Sequence, residues 1–454
     1  MAHHAGPAHV ELLALSRTSG TTVTGQFRVV NDGQSPMKLQ ISFFEGGREG
    51  DINSLEANGI GLLDGAGGKL YMPLRRADGT CLCSDPGGEE VAPRGSVDIY
   101  AVFPAPPAGV KRATVTIPLT VPMQDVPISD GPVRPLPDQT VDPASVKLAA
   151  PRVLTVAGVA EGDDQSVDED GDERAVRLSS DVLFALNKAD LTAKADALLR
   201  GVAKQIDASN GTVVKVDGYT DSSGDDAINR PLSHRRAKAV ADRLKGLVTR
   251  AGVAYRTAGH GSADPVASND SDSGRRKNRR VTVSFPLPAP PPAPTSGRAY
   301  SWSPGKPASS RTARFTPAAA KDLQIQVNSL HRDPAGLTTL VWTLRNNGRS
   351  QADVHSRFEL DLYYNGRMTP MPNSTDGISV LDTADNVWYY PLRASSMECL
   401  CTTLLRSDAK QTLDPGESMT FSGVYRLPAQ ADTVDIDIPW DGEPGARIKG
   451  IAVR

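Results

Sequence analysis

Hydrophobic and polar residues alternate with period two at both ends of the chain. Val23, Gly25, Phe27 and Val29 interleave with Thr24, Gln26 and Arg28, and Val97, Ile99, Ala101 and Phe103 continue a looser alternation. Near the C-terminus Leu340, Trp342 and Leu344 alternate, as do Val434, Ile436 and Ile438. Alternation between Gly, Pro and Asn turns predicts half-buried antiparallel strands. The middle of the chain reads differently. Val182, Phe184 and Leu186 suggest a strand, and Leu191, Ala195, Leu198, Leu199, Val202 and Ile206 follow helical spacing. Residues 212–220 alternate as a strand, 232–247 fit a second helix, and Val281, Val283 and Phe285 mark a last strand.

The two ends also resemble each other. GIGLLD (59–64) meets GISVLD (377–382), YMPLR (71–75) meets YYPLR (389–393), and Cys81-Leu82-Cys83 meets Cys399-Leu400-Cys401, all at one offset of 318 residues. VVNDG (29–33) faces LRNNG (344–348) with a three-residue shift. The expectation is two copies of one β module, an immunoglobulin-like sandwich, around an α/β centre. The predicted domains are copy 1 over 1–130, an acidic linker and lead-in over 131–176, the α/β domain over 177–285, a Pro-rich linker over 286–318, and copy 2 over 319–454. Within the first linker, 161–173 (EGDDQSVDEDGDE) holds eight acids and no base. It reads as a solvated, self-repelling spacer rather than a calcium loop, since it lacks the ligand spacing of an EF-hand.

The second central helix carries an oddity. Arg236 lies midway between Leu232 and Val240 on the apolar stripe. A guanidinium near a core face snorkels to solvent, pairs with an acid or lines a pocket. Asp221 ends the preceding strand, where the chain turns toward this helix. The two could form a plain ion pair or a split clamp, in which Asp221 takes an ammonium and Arg236 a carboxylate of one zwitterion. Arg235, next door, falls on the solvent side.

The span DGYTDSSGDDAINRPLSHRRAKAVADRL (217–244), with DVLFALNKADLTAKADALL (181–199) before it and GRRKNRRVTVSF (274–285) after it, resembles the OmpA C-terminal domain family. That resemblance implies a β-α-β-α-β-β domain that binds peptidoglycan noncovalently through the diaminopimelic acid of its stem peptide. Asp221 and Arg236 match the family's ligand acid and arginine. Asn229 and Leu232 match its Asn-x-x-Leu-Ser block. Thr220 and Ser223 sit beside the acid, and Asn278 and Arg279 match the closing motif that borders the pocket. Ala185 departs from the pattern at a position where many members carry a polar residue.

Charge narrows the partners. The whole chain is near neutral, with 50 Lys and Arg against 53 Asp and Glu. Residues 178–285 hold 18 Lys and Arg against 12 Asp and Glu, a net of +6. A basic domain suits an anionic wall polymer. The run GRRKNRR has no interleaved aromatic residues, which argues against nucleic acid. No apolar run approaches the ~18 residues of a transmembrane helix. The start, MAHHAGPAHVELLALS, lacks the basic and apolar regions of a secretory signal, so either the protein has no leader or its true start lies upstream.

Two cysteines per module point to a role within the module. A disulfide inside each Cys-Leu-Cys is the leading expectation for an exported protein; a bridge between modules, a metal site and free thiols are the others. GxSxG, HExxH and Walker motifs are missing, and the seven histidines are scattered, with His3 and His4 in a terminal tail and His260 in a structural loop. The expected protein is therefore not an enzyme and needs no cofactor. It is a peptidoglycan-binding protein of the cell envelope, in the wall or periplasm, that holds two β modules whose protein or glycan partner is unknown. The alternative is an interaction or adhesion protein whose duplicated β modules bind a protein or glycan partner, with the central domain mainly structural: vestigial, or holding Asp221–Arg236 as an internal ion pair.

Overall fold

The computed structural model describes residues 2–3, 8–39, 56–287, 299–300, 302, 312–359, 374–394, 399–402 and 412–454, except positions 119, 140, 186, 356 and 442. His4 and most of the Pro-rich stretch lie outside these residues; Ala2–His3 pairs with His9–Val10.

At the N-terminal end, strands Ala8–Arg17, Thr22–Asn31 and Ser96–Pro104 form one antiparallel sheet. Strands Gly61–Asp64, Lys69–Tyr71, Arg112–Thr116 and Met123–Pro127 form the opposing layer. Val23, Phe27 and Ile99 from the first layer share a core with Leu62, Val115 and Val126 from the second. The C-terminal end repeats the arrangement. Leu323–Arg332, Thr338–Asn346 and Ser418–Tyr425 face Ser379–Asp382, Val387–Tyr389, Thr433–Trp440 and Glu443–Ala452. Its core is more aromatic, with Trp342 stacked on Phe421 at 4.4 Å.

The motifs shared by the two ends occupy the same structural roles. The Asn31 amide donates to the Ser35 and Val91 carbonyls while its oxygen accepts from Gly33 N; Asn346 does the same with Ser350, Leu413 and Gly348. Asp64 and Asp382 each accept from the backbone N–H two residues on. Each Cys-Leu-Cys closes on itself: Cys81 is bonded to Cys83, and Cys399 to Cys401. The central leucine of each motif donates its backbone N–H to one neighbouring segment and accepts from a strand on its other side, as Leu82 does with Leu74 and Val102, and Leu400 with Leu392 and Val424.

The polar members of one predicted alternation are not exposed. Thr24 and Gln26 are buried: the Thr24 hydroxyl bonds that of Thr18, and residues 131–139 and 141–148 run past Gln26. Gln26 donates to the Arg134 carbonyl, and Leu136, Val141 and Leu148 pack on Leu74, Leu82, Tyr100 and Val102.

The acidic stretch 161–173 is not a solvated spacer. Strands Val153–Gly162, Gln165–Asp170 and Glu173–Ser179 form an antiparallel meander through it. Gly171, at φ +64°, makes the tight turn inside the DEDGDE run. The repulsion expected of eight acids is relieved by partners: Arg177 pairs with Asp168, Lys215 with Glu173, and Lys194 with Asp164. The strand Glu173–Ser179 then pairs with Arg280–Pro286, and the sheet continues through Val213–Gly218 to Ala254–Gly259, the last pair being parallel. Helices α1 (Ser180–Leu183), α2 (Ala193–Ala208), α3 (Asp226–Leu247) and α4 (Asp272–Asn278) complete the domain. Val182 and Phe184 are therefore not in the leading strand, and Leu186 lies outside the described residues. That strand lies just upstream, and α1 begins where it was expected.

One strand joins all three parts. Along one edge, Val153–Gly162 pairs first with Lys69–Tyr71 of the N-terminal module and then with the meander; along the other it pairs with Val387–Tyr389 and Arg393–Ala394 of the C-terminal module. Val387 enters the hydrophobic core of the central domain. Within the Pro-rich stretch, Tyr300 forms backbone bonds to Gln124 and stacks on His331 at 3.7 Å.

Candidate functional site

Helix α3 starts at Asp226, six residues before the spacing predicts, because the Asp225 side chain caps it and Pro231 does not end it. Its buried stripe runs Asn229, Leu232, Ser233, Arg236, Ala237, Val240, Ala241 and Leu244, so Arg236 does sit on the core face. Close approach to the sheet requires glycine: a Cβ at Gly218 would lie 2.1 Å from the Ser233 carbonyl oxygen, and one at Gly259 2.3 Å from His234 N. The Ser233 hydroxyl accepts from Gly261 N, tying the helix to the next loop.

Beyond Gly218 the chain is held in place on both sides. Tyr219 N donates to the Arg280 carbonyl and Thr220 N to the Gly261 carbonyl. Asp221 follows, only 8% exposed. Its Oδ1 accepts from Ser223 N at 2.9 Å, and the Asn229 amide donates to the Ser223 carbonyl at 3.1 Å. Ser223 and Asn229 thus shape the loop that presents the carboxylate. Leu232 is buried, and the Thr220 hydroxyl is buried without a partner.

Arg236 is 6% exposed. Its Nε donates to the Lys188 carbonyl at 3.0 Å, and its guanidinium lies 5.2 Å from the Phe184 ring centre. Among the described residues no carboxylate pairs with it. Burial lowers its pKa, opposed by the nearby charges of Asp181 and Asp221 and reinforced by Arg279. Asp221 and Arg236 are therefore neighbours without an ion pair between them.

The carboxylate's cation is Arg279, whose Nη1 lies 2.6 Å from Asp221 Oδ2. Burial pushes the Asp221 carboxyl up, but the bonds from Arg279 and Ser223 outweigh it and hold it below the usual range. Arg279 also grips Asp181 on α1 through Nε at 2.8 Å and Nη2 at 2.7 Å. Asn278, expected at the pocket border, is wholly buried and fully used: its oxygen accepts from Val266 and Ala267 N, and its amide donates to Ala267 O and Asn269 Oδ1. It holds the loop before α4 and has no group left for a ligand.

Asp181, Phe184 and the Lys188 carbonyl are parts of the site that the residue pattern does not reveal. Assigning Val182–Leu186 to a strand hides them, whereas α1 turns Asp181 toward Arg279. His260, as expected, is structural; it bonds Asp217 at 3.0 Å and stacks on Tyr219. Among the described residues no group of three or more His, Cys, Asp or Glu could hold a metal, and no helix is long and apolar enough to cross a membrane.

Comparison with known proteins centres on the same region. The OmpA family profile matches residues 183–279. The peptidoglycan-binding protein ArfA of Mycobacterium tuberculosis is 41% identical over 104 residues, which is 22% of this chain and 31% of ArfA. The putative lipoprotein YfiB of Escherichia coli is 34% identical over 117 residues, covering 25% of this chain and 72% of YfiB. The cell wall anchor of the T6SS from Pseudomonas aeruginosa is similar at 31% identity, over 27% of this chain and 87% of that structure, with a TM-score of 0.25. This chain spans less than a third of ArfA. Through its central domain, this chain belongs to the OmpA family.

Proposed function

We propose that this chain is a non-catalytic cell-envelope protein that binds peptidoglycan noncovalently through the diaminopimelate of the stem peptide. The observation that carries this reading is the pair of buried, opposite charges that do not neutralise each other. Arg236 is desolvated, bonded by Nε to a backbone carbonyl, and has no carboxylate partner among the described residues. Asp221 stands close by, ionised and aimed by Ser223 and Arg279. A buried guanidinium without a counter-ion is costly unless a ligand supplies one. An amino acid zwitterion supplies it: its carboxylate meets Arg236 and its ammonium meets Asp221. The sequence similarity to ArfA, a peptidoglycan-binding protein by name, points the same way.

In this reading Thr220, Ser223, Asn229 and Leu232 shape the pocket, Arg279 sets the acid, and Asn278 supports the loop. The run GRRKNRR is not a free basic surface for nucleic acid: Arg275 pairs with Asp272, Arg279 with two acids, and Arg280 is buried over the Tyr219 ring at 3.7 Å. The flanking modules are duplicated immunoglobulin-like sandwiches displayed at the wall. The form of the adhesion alternative in which Asp221 and Arg236 satisfy each other is not favoured, because no ion pair joins them.

The test is co-sedimentation with insoluble, diaminopimelate-containing peptidoglycan. Wild type should pellet with the polymer, and folded Asp221→Ala and Arg236→Ala should stay in solution. Folded wild type left in the supernatant would end this reading and turn attention to the β modules.

A further inference from the structure

Arg279 is shared between two acids, and the sharing is unequal. Asp181 takes Nε and Nη2, a two-pronged grip at 2.8 and 2.7 Å; Asp221 receives Nη1 alone. Asp221 Oδ1 is further engaged by Ser223 N. A carboxylate has about four acceptor positions, so two bonds leave Asp221 with capacity for an incoming ammonium. Arginine and a carboxylate bind most strongly as a parallel, two-bond pair. Without Asp181, Arg279 would make that pair with Asp221 and fill the positions a ligand needs.

We infer that Asp181 is a positioning residue for the clamp: by holding Arg279 through two nitrogens, it keeps that cation from closing over Asp221. The inference rests on the zwitterion reading above. The backbone keeps the competition local, because Ser180 N donates to the Arg279 carbonyl and so fixes α1 beside the start of the last strand. The other charged groups facing Asp181 are Arg276 of α4 and Arg236 of α3. Losing Asp181 therefore also removes an attractive charge from Arg236. Arg279 has a different part from the one its motif position implies: it aims the acid and stays out of the ligand's way only while Asp181 holds it.

The test uses the full chain with Asp181→Asn, Asp181→Ala, Arg279→Ala and Asp181→Ala/Arg279→Ala, each checked for folding by circular dichroism. Two quantities are read. One is affinity for a soluble muropeptide bearing diaminopimelate, by calorimetry. The other is the carboxyl titration of Asp221 without ligand, by NMR on 13C-aspartate protein assigned with Asp221→Asn. Asp181→Ala should weaken binding about tenfold, the usual scale for losing a partner that orients a ligand group, with Asp181→Asn in between. Asp221 should titrate at lower pH than in wild type, since Arg279 turns wholly onto it and the Asp181 charge is gone. Removing Arg279 as well should recover much of the lost affinity. Unchanged affinity in Asp181→Ala, or an Asp221 titration that stays put or moves up, would overturn the inference. If wild type itself fails to bind, the zwitterion reading falls, and restraint of Arg279 is judged by the Asp221 titration alone: it should fall more from wild type to Asp181→Ala than from Arg279→Ala to Asp181→Ala/Arg279→Ala, where only the lost Asp181 charge acts.

Discussion

Glu169 and Asp221 are both buried carboxylates set among arginines, yet they sit in opposite situations. Glu169 lies where the three parts of the chain meet. Arg174 and Arg426 bond its two oxygens, Arg174 goes on to Gln205 of α2, and Arg426 goes on to the Gly65 carbonyl of the N-terminal module. Burial pushes its carboxyl up, and the two arginines overcome that and hold it below the usual range. Every charge there is answered within the protein. Around Asp221 the sum does not close, because Arg236 has only a backbone carbonyl and an aromatic ring. A closed set of buried charges specifies how parts of a protein meet. An open one implies a missing partner.

The sharpest way to break this comparison is at Glu169. Replacing it with Ala leaves two arginines buried and unpaired and should destabilise the chain by about 3–5 kcal/mol. Denaturant unfolding would read the loss, and an unchanged midpoint would remove Glu169 as the centre of the junction. Arg236→Met is the counter-case. It should cost about 2–5 kcal/mol of muropeptide affinity while stability stays within about 1 kcal/mol, since no internal ion pair is broken. A large stability loss with full binding would make Arg236 structural.

Asp333 offers a third case, a buried carboxylate between the two β modules with no cation in ion-pair range among the described residues. It accepts from Leu337 N and from the Thr114 hydroxyl of the opposite module. Burial pushes its pKa up to about 6, from an ordinary 3.8. With the folded value raised, the stability it contributes is fully present below pH 3.8 and is lost as pH rises through about 6. The loss should reach up to about 3 kcal/mol by pH 7, and Asp333→Asn should flatten that part of the pH–stability profile. The smallest effect belongs to Arg235→Ala, a solvent-side change expected to alter binding by about 0–1 kcal/mol. A loss as large as that of Arg236 would mean the wrong arginine has been assigned to the clamp.

Some of this was legible in the residues and some was not. Helix α3 and Arg236 on its buried stripe follow from spacing, because helical periodicity is a local property. The last strand is equally clear, with Val281, Val283 and Phe285 all buried as their alternation implies. The acidic stretch misleads because composition counts charges without knowing what faces them. Eight acids repel as an isolated segment; beside Arg177, Lys194, Lys215 and the Glu169 cluster they form strands. Asp181 escapes notice for a similar reason, since its partner is 98 residues away in sequence.

The two Cys-Leu-Cys motifs mark where local determination stops. Each closes its own ring, the leading expectation for these residues, and in each the leucine packs in a different cluster from its module's own core. What covers that leucine differs. Leu82 lies under the segment 131–148, while Leu400 packs at the junction with Leu63, Leu70 and Met72 of the other module. The sequence by itself determined the main helices, the last strand, the repeated turns and the place of Arg236 on a buried stripe, because these depend on neighbours a few residues apart. Only the tertiary structure decided which charges are answered, which apolar faces meet, and that one strand joins three modules. Those outcomes depend on burial and on partners distant in the chain, and the strength of a charge or an apolar face is set by what surrounds it.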